Sequence, residues 1–91
     1  MLNVAPISQI YNGYCNRETW LANLWLSNDD GCYALQEALR NGEEVGEQAE
    51  YLERTLRDQL DDEVDGASLW GDLLQTAFDR INWFEVIENN K

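Results

Sequence analysis

The sequence predicts an all-α fold: a compact bundle of four to five short helices with an extended N-terminal arm. Three observations predict it. Apolar residues recur at intervals of three and four in several segments, a spacing that gathers them on one helical face. Residues that cap and stop helices (Asn, Ser, Asp and Gly) punctuate those segments. No stretch alternates polar and apolar residues for long enough to demand a sheet.

Residues 1–15 read as the arm and residues 16–91 as a single helical domain. The arm holds the chain's one proline, Pro6, and a turn-forming Asn12-Gly13 pair, with Val4, Ile7, Ile10 and Tyr11 available to dock on the core. Asn16 is a good N-cap, and Glu18 in the first turn suits the helix dipole. Trp20, Leu21, Leu24 and Trp25 then fall on one helical face, assigned to the core. Ser27-Asn28 ends this helix and caps the next, with Asp29 and Asp30 in the new first turn. Tyr33, Leu35, Ala38 and Leu39 follow, and Asn41-Gly42 is a stop.

The third helix has the clearest pattern. Val45, Ala49, Leu52, Leu56 and Leu60 form one stripe, with Glu47, Glu50, Arg54, Asp58 and Asp61 pointing the other way. It frays into the acidic run 61–66. A fourth helix spans about Ala67 to Arg80, with Leu69, Trp70, Leu73, Leu74, Ala77, Phe78 and Ile81 apolar. Asn82-Trp83-Phe84-Glu85 reads as a capping box that starts a short last helix carrying Val86 and Ile87.

Composition bounds the function. The 91 residues include 18 acids, 6 bases and no histidine, a formal charge of −12. A protein that neutralises nucleic-acid phosphates with its own Lys and Arg needs a basic face, so direct nucleic-acid binding is not expected. An anionic membrane would repel the chain. Histidine bases, nucleophiles and zinc ligands are excluded. With 44% hydrophobic residues, including four Trp, four Tyr and two Phe, the chain is too apolar for an acidic disordered tail. Two cysteines, Cys15 and Cys32, fit free thiols in a reducing cytoplasm better than a disulfide scaffold. No apolar run reaches the ~20 residues of a membrane span, and the first residues lack a signal-peptide pattern. The expected location is a host cytoplasm.

Residues 43–65 hold ten acids and two arginines, net −8. As a helix they extend about 34 Å, roughly one net charge per 4.3 Å. A single DNA strand carries about one per 3.4 Å, so the density approaches that of one strand. Ion pairs at Glu50–Arg54 and Glu53–Arg57, worth a few tenths of a kcal/mol each, leave most of this charge unpaired. Glu43, Glu44, Glu47, Glu50, Asp58, Asp61, Asp62 and Asp65 are therefore the candidate partner-binding residues, an acidic face for a basic nucleic-acid-binding groove. A solvated helix face is the competing reading.

Other chemistry is weaker. Asp61, Glu63, Asp65, Gly66 and Asp72 only partly match a calcium loop, with Glu at the third position and a short Asp at the twelfth. Carboxylates beside tryptophans could suggest a glycosidase, but Trp20 with Trp25, and Trp70 with Leu73 and Leu74, sit at core spacing. Arg17 lies in a first helical turn, where a cation is mildly unfavourable, and is expected to pair with an acid elsewhere. No catalysis, cofactor or metal is expected.

The stretch from Asn16-Arg17-Glu18-Thr19-Trp20 through Leu24-Trp25-Leu26 to Asn28-Asp29, with Asp30-Gly31 after it, resembles a signature in small acidic proteins of phages, plasmids and other mobile elements. A second patch, Leu73-Leu74 through Ala77 to Ile81-Asn82-Trp83, with Glu85 and Ile87, resembles the C-terminal end of the same group. Together they cover about a third of the chain. The resemblance implies no assigned catalysis and a role in countering host defence, such as anti-restriction or anti-CRISPR; a CRISPR effector is the first choice of target and a restriction–modification enzyme the second. Since the shared residues fall on caps and core, it supports the fold more than the target.

These readings converge on a stoichiometric inhibitor that presents its acidic face to a host defence complex. The alternatives are an anti-restriction protein, or a non-catalytic adaptor or homodimer acting through an aromatic patch.

Overall fold

A computed structural model describes residues 11–28, 32–65 and 67–91. Tyr11–Gly13 form a 3-10 turn in which Asn12 (φ 51°) and Gly13 (φ 92°) take the left-handed conformation the Asn-Gly pair tolerates. Among the described residues five α-helices follow: α1 (Arg17–Leu26), α2 (Cys32–Arg40), α3 (Val45–Glu63), α4 (Leu69–Asp79) and α5 (Trp83–Glu88). The fold is all-α. Val4, Ile7, Ile10 and the pair Asp29-Asp30 lie outside the described residues.

Asn16 and Asn82 cap helices as the sequence places them, and Ser68 caps α4, which starts at Leu69 rather than about Ala67. Asn16 accepts the Thr19 N–H at 2.8 Å, Ser68 the Gly71 N–H at 2.9 Å and Asn82 the Glu85 N–H at 3.2 Å. Ser27 closes α1, as its place in the sequence suggests, its N–H bonding the Asn23 carbonyl, and α2 is described from Cys32 onward. α2 stops at Arg40, where the Asn41 amide donates to the Glu37 carbonyl at 2.7 Å.

α3 is the spine. Ala49 and Leu52 are buried against α2 and α5, which supply Leu35, Ala38, Val86 and Ile87, and Leu56 and Leu60 pack at the margin. Gln48 is buried too. Its amide nitrogen donates to the Leu39 and Gly42 carbonyls at 3.0 and 2.8 Å, satisfying orphan acceptors at the end of α2.

The two terminal helices are joined by a polar lock. Thr19 is fully buried, its hydroxyl donating to Asn16 Oδ1 at 2.7 Å and accepting the Asn82 N–H at 2.9 Å. The Asn16 amide donates to the Arg80 carbonyl at 2.7 Å. This alters the capping box at α5: the Asn82 N–H is already taken, so Glu85 accepts instead from the Cys15 N–H at 3.0 Å. The two sequence patches that carry the family resemblance thus meet here.

Two core assignments fail. On α1, Leu21, Leu24 and Trp25 are exposed, Trp25 at 63%, while Thr19 faces in and Leu26 packs at the core's edge. On α4, Leu69, Trp70, Leu73 and Leu74 are exposed, Trp70 at 69%, and of the expected apolar set only Phe78 is buried. Tyr33 is exposed as well. Trp83 is the core tryptophan, its ring 5.2 Å from that of Phe78. The cause is geometric. α4 is anchored by the side bearing Gln75, Phe78 and Asp79, so its richer apolar side turns outward.

Candidate functional site

The acidic residues form a ridge along α3 and its flanking loops. All eight expected partner-binding residues (Glu43, Glu44, Glu47, Glu50, Asp58, Asp61, Asp62 and Asp65) are exposed. At 100° per residue, Glu47, Glu50, Asp58, Asp61 and Asp62 fall within about 120° of arc, opposite the buried stripe.

Local bonding divides the eight. Glu47 folds back over the start of α3, where its Oε1 accepts from the Glu43 and Glu44 N–H groups at 3.0 and 3.4 Å. The turn tolerates this because residue 42 is glycine: a Cβ there would lie 2.8 Å from the Glu47 Cβ. Glu44 is the N-cap of α3. Asp61 accepts from the Gln75 amide at 3.0 Å, tying α3 to α4, and Asp65 accepts from the Ala67 N–H at 2.9 Å. The side chains of Glu43, Glu50, Asp58 and Asp62 have no hydrogen-bond or ion-pair partner among the described residues.

The cations on α3 behave differently from one another. Glu53–Arg57 forms at 3.5 Å, as its spacing predicts, but no Glu50–Arg54 pair forms. Arg57 turns toward α4, donating to Gln75 Oε1 and Asp79 Oδ1, both at 2.8 Å, with its guanidinium 4.4 Å from the Phe78 ring centre. The bond to Asp79 raises the Arg57 pKa above the ordinary guanidinium value, against the lowering effect of desolvation. Arg54 is left on the ridge without an ion pair among the described residues. Arg17 also lacks one among the described residues: its neighbour Glu18 pairs with Arg80 at 3.3 Å.

No calcium loop forms. Asp61 and Glu63 both lie on helical α3, two residues and therefore about 200° apart, so their carboxylates diverge. Among the described residues no group of three His, Cys, Asp or Glu side chains is placed to hold a metal ion. No described helix is long and apolar enough to cross a membrane. Cys15 is an exposed free thiol.

A second surface was misassigned to the core. Between α1 and α4 lies an open groove of about 260 Å³, lined by Glu18, Leu21, Ala22, Trp25, Ala77 and Ile81. Leu73, Leu74 and Trp70 continue its apolar wall along α4. The signal for it was present: Leu69, Trp70, Leu73, Leu74, Ala77 and Phe78 are more apolar positions than one 11-residue helix can bury on a single side. Arg57 and Gln48 gave no such signal, because their partners come from other helices or from loop carbonyls.

A family model described as a family of unknown function (DUF7249) matches residues 7–91. No curated protein and no solved structure matches the chain.

Proposed function

We propose a non-catalytic role for this chain, which belongs to the family of unknown function DUF7249: it binds stoichiometrically to a basic, nucleic-acid-binding surface of a bacterial defence complex and blocks it. The observation that carries this reading is the state of the ridge. Glu43, just before α3, and Glu50, Asp58 and Asp62 along it are exposed and, among the described residues, unpartnered; α3 is about 28 Å long for its 19 residues. Carboxylates that serve the fold are bonded locally. These four are not, and they leave an unneutralised field of the kind that speeds association with a cationic groove by 10-fold or more at low salt.

The resemblance to mobile-element proteins supports a host defence complex as the class of target; within that class a CRISPR effector is chosen before a restriction enzyme. No cofactor, metal or covalent step enters.

The test is protection of phage or plasmid in cells carrying a single defence system, with the wild type and an E43K/E50K/D58K/D62K variant. Each reversal adds two charges, so the net charge moves from −12 to −4. Helicity by circular dichroism should be unchanged. Protection should be lost, and capture of the target from lysate should fall steeply between 50 and 200 mM salt, about the range over which phosphate contacts are screened. Full protection by the variant, or salt-indifferent capture, overturns the reading.

A further inference from the structure

The outward face of α4 and the neighbouring side of α1 make a surface independent of the acidic ridge. Leu69, Trp70, Leu73 and Leu74 with Leu21 and Trp25 are all exposed. At these exposures the six present roughly 700 Å² of surface, more than the roughly 300–600 Å² of the largest patch on a typical monomer. It approaches the ~800 Å² that each partner contributes to a standard interface.

We propose that this face is covered by a second copy of the chain, in a two-fold dimer with the two α4 helices packed antiparallel. Three features select a second copy. First, the face carries both a projection and a recess. Trp70 stands at the N-terminal end of α4, and the groove over Ala77 and Ile81 lies seven to eleven residues further on, about 10–16 Å along the same helical row. An antiparallel pair seats each Trp70 in the other's groove, with Leu73 and Leu74 near the dyad, which is the reciprocal contact a two-fold interface requires.

Second, this is the electrically quiet side of a strongly acidic molecule. Its charges are the half-buried Glu18 and exposed Asp72 against the exposed Arg17 and Arg80, with Glu18 already paired to Arg80. Two copies can therefore meet here while both α3 ridges, on the other side of α4, stay apart. Third, a chain of this size buries little more than about 60% of its unfolded surface alone, so an apolar face left in water is a cost that association removes.

Sedimentation equilibrium at about 100 μM, a concentration that populates a micromolar dimer, tests this. The wild type should sediment at twice its 10.5 kDa. W70E, L73E and A77K should each sediment as a monomer with unchanged helicity, and added salt should leave the wild-type dimer intact. Mixing W70E with A77K should restore a dimer, because one contact then opposes the two introduced charges and the other remains native. A monomeric wild type, a dimer that survives both W70E and L73E, or a mixture that stays monomeric overturns the proposal. These readouts involve no defence complex, so they fail or hold separately from the acidic-ridge reading.

Discussion

α3 and α4 carry the same amphipathic signal and use it in opposite ways. In α3 the apolar stripe through Ala49 and Leu52 is buried against α2 and α5, and the carboxylates take the water. In α4 one mixed side holds the helix, through buried Phe78 and through Gln75 and Asp79 to Arg57 and Asp61, while Leu69, Trp70 and Leu73 face out. The comparison teaches that periodicity establishes a helix and its two faces. What covers each face depends on which neighbour lies within reach.

The comparison can be broken most sharply at its two extremes. Leu52→Ala removes a side chain with no exposure and should lower the unfolding free energy by about 2–5 kcal/mol in urea denaturation. Trp70→Ala, at a concentration low enough to keep the chain monomeric, should change it by no more than about 0.5 kcal/mol despite the larger side chain. Equal costs would mean that α4 is packed as α3 is. Thr19→Val comes next. It keeps the shape but leaves the Asn82 N–H without its acceptor, for an expected loss of about 1–3 kcal/mol in thermal denaturation.

Arg57→Leu should act locally. Most of its partners are partly or largely exposed, so the global loss should stay within about 1 kcal/mol. Amide exchange should instead quicken in α4, with α3 and α5 protected as before. A uniform rise across all helices would show that α4 is integral to the core. Since the Arg57 pKa is raised, its favourable contribution is fully present below the ordinary guanidinium value and is lost only as pH climbs through the still higher folded value. The quickening should accordingly be the same at pH 6 and pH 9 once intrinsic exchange is corrected for. Smallest of all is Glu50→Gln, which should leave stability within about 0.5 kcal/mol and only flatten the salt dependence of target capture.

Much of the fold was legible because it is written locally. Asn16 and Asn82 announce helix starts through side chains that bond N–H groups three residues on, and Asn41-Gly42 announces a stop, whereas Ser68, the cap of α4, lies one residue inside the helix start read at about Ala67. The acidic ridge was legible for the same reason, being a property of one helix. What escaped is contributed by distant segments. Arg57 reads as half of an i,i+4 pair with Glu53, yet its shortest bonds go to α4. Glu47 and Asp61 read as ridge charges, yet each also holds a turn or a helix in place. Thr19 reads as one polar residue among apolar neighbours, and only the Asn82 backbone explains why it is buried.

The Thr19 lock has a consequence for the order in which the chain is finished. The partner of this hydroxyl lies 63 residues downstream, and Val86 and Ile87, both fully enclosed, come later still. During synthesis α2 and α3 can pair as soon as they leave the ribosome, but α1 must wait, its inner side wet, until α5 emerges. A nascent chain arrested before Asn82 should therefore be readily digested by proteases, and one extended past Asn90 should resist them.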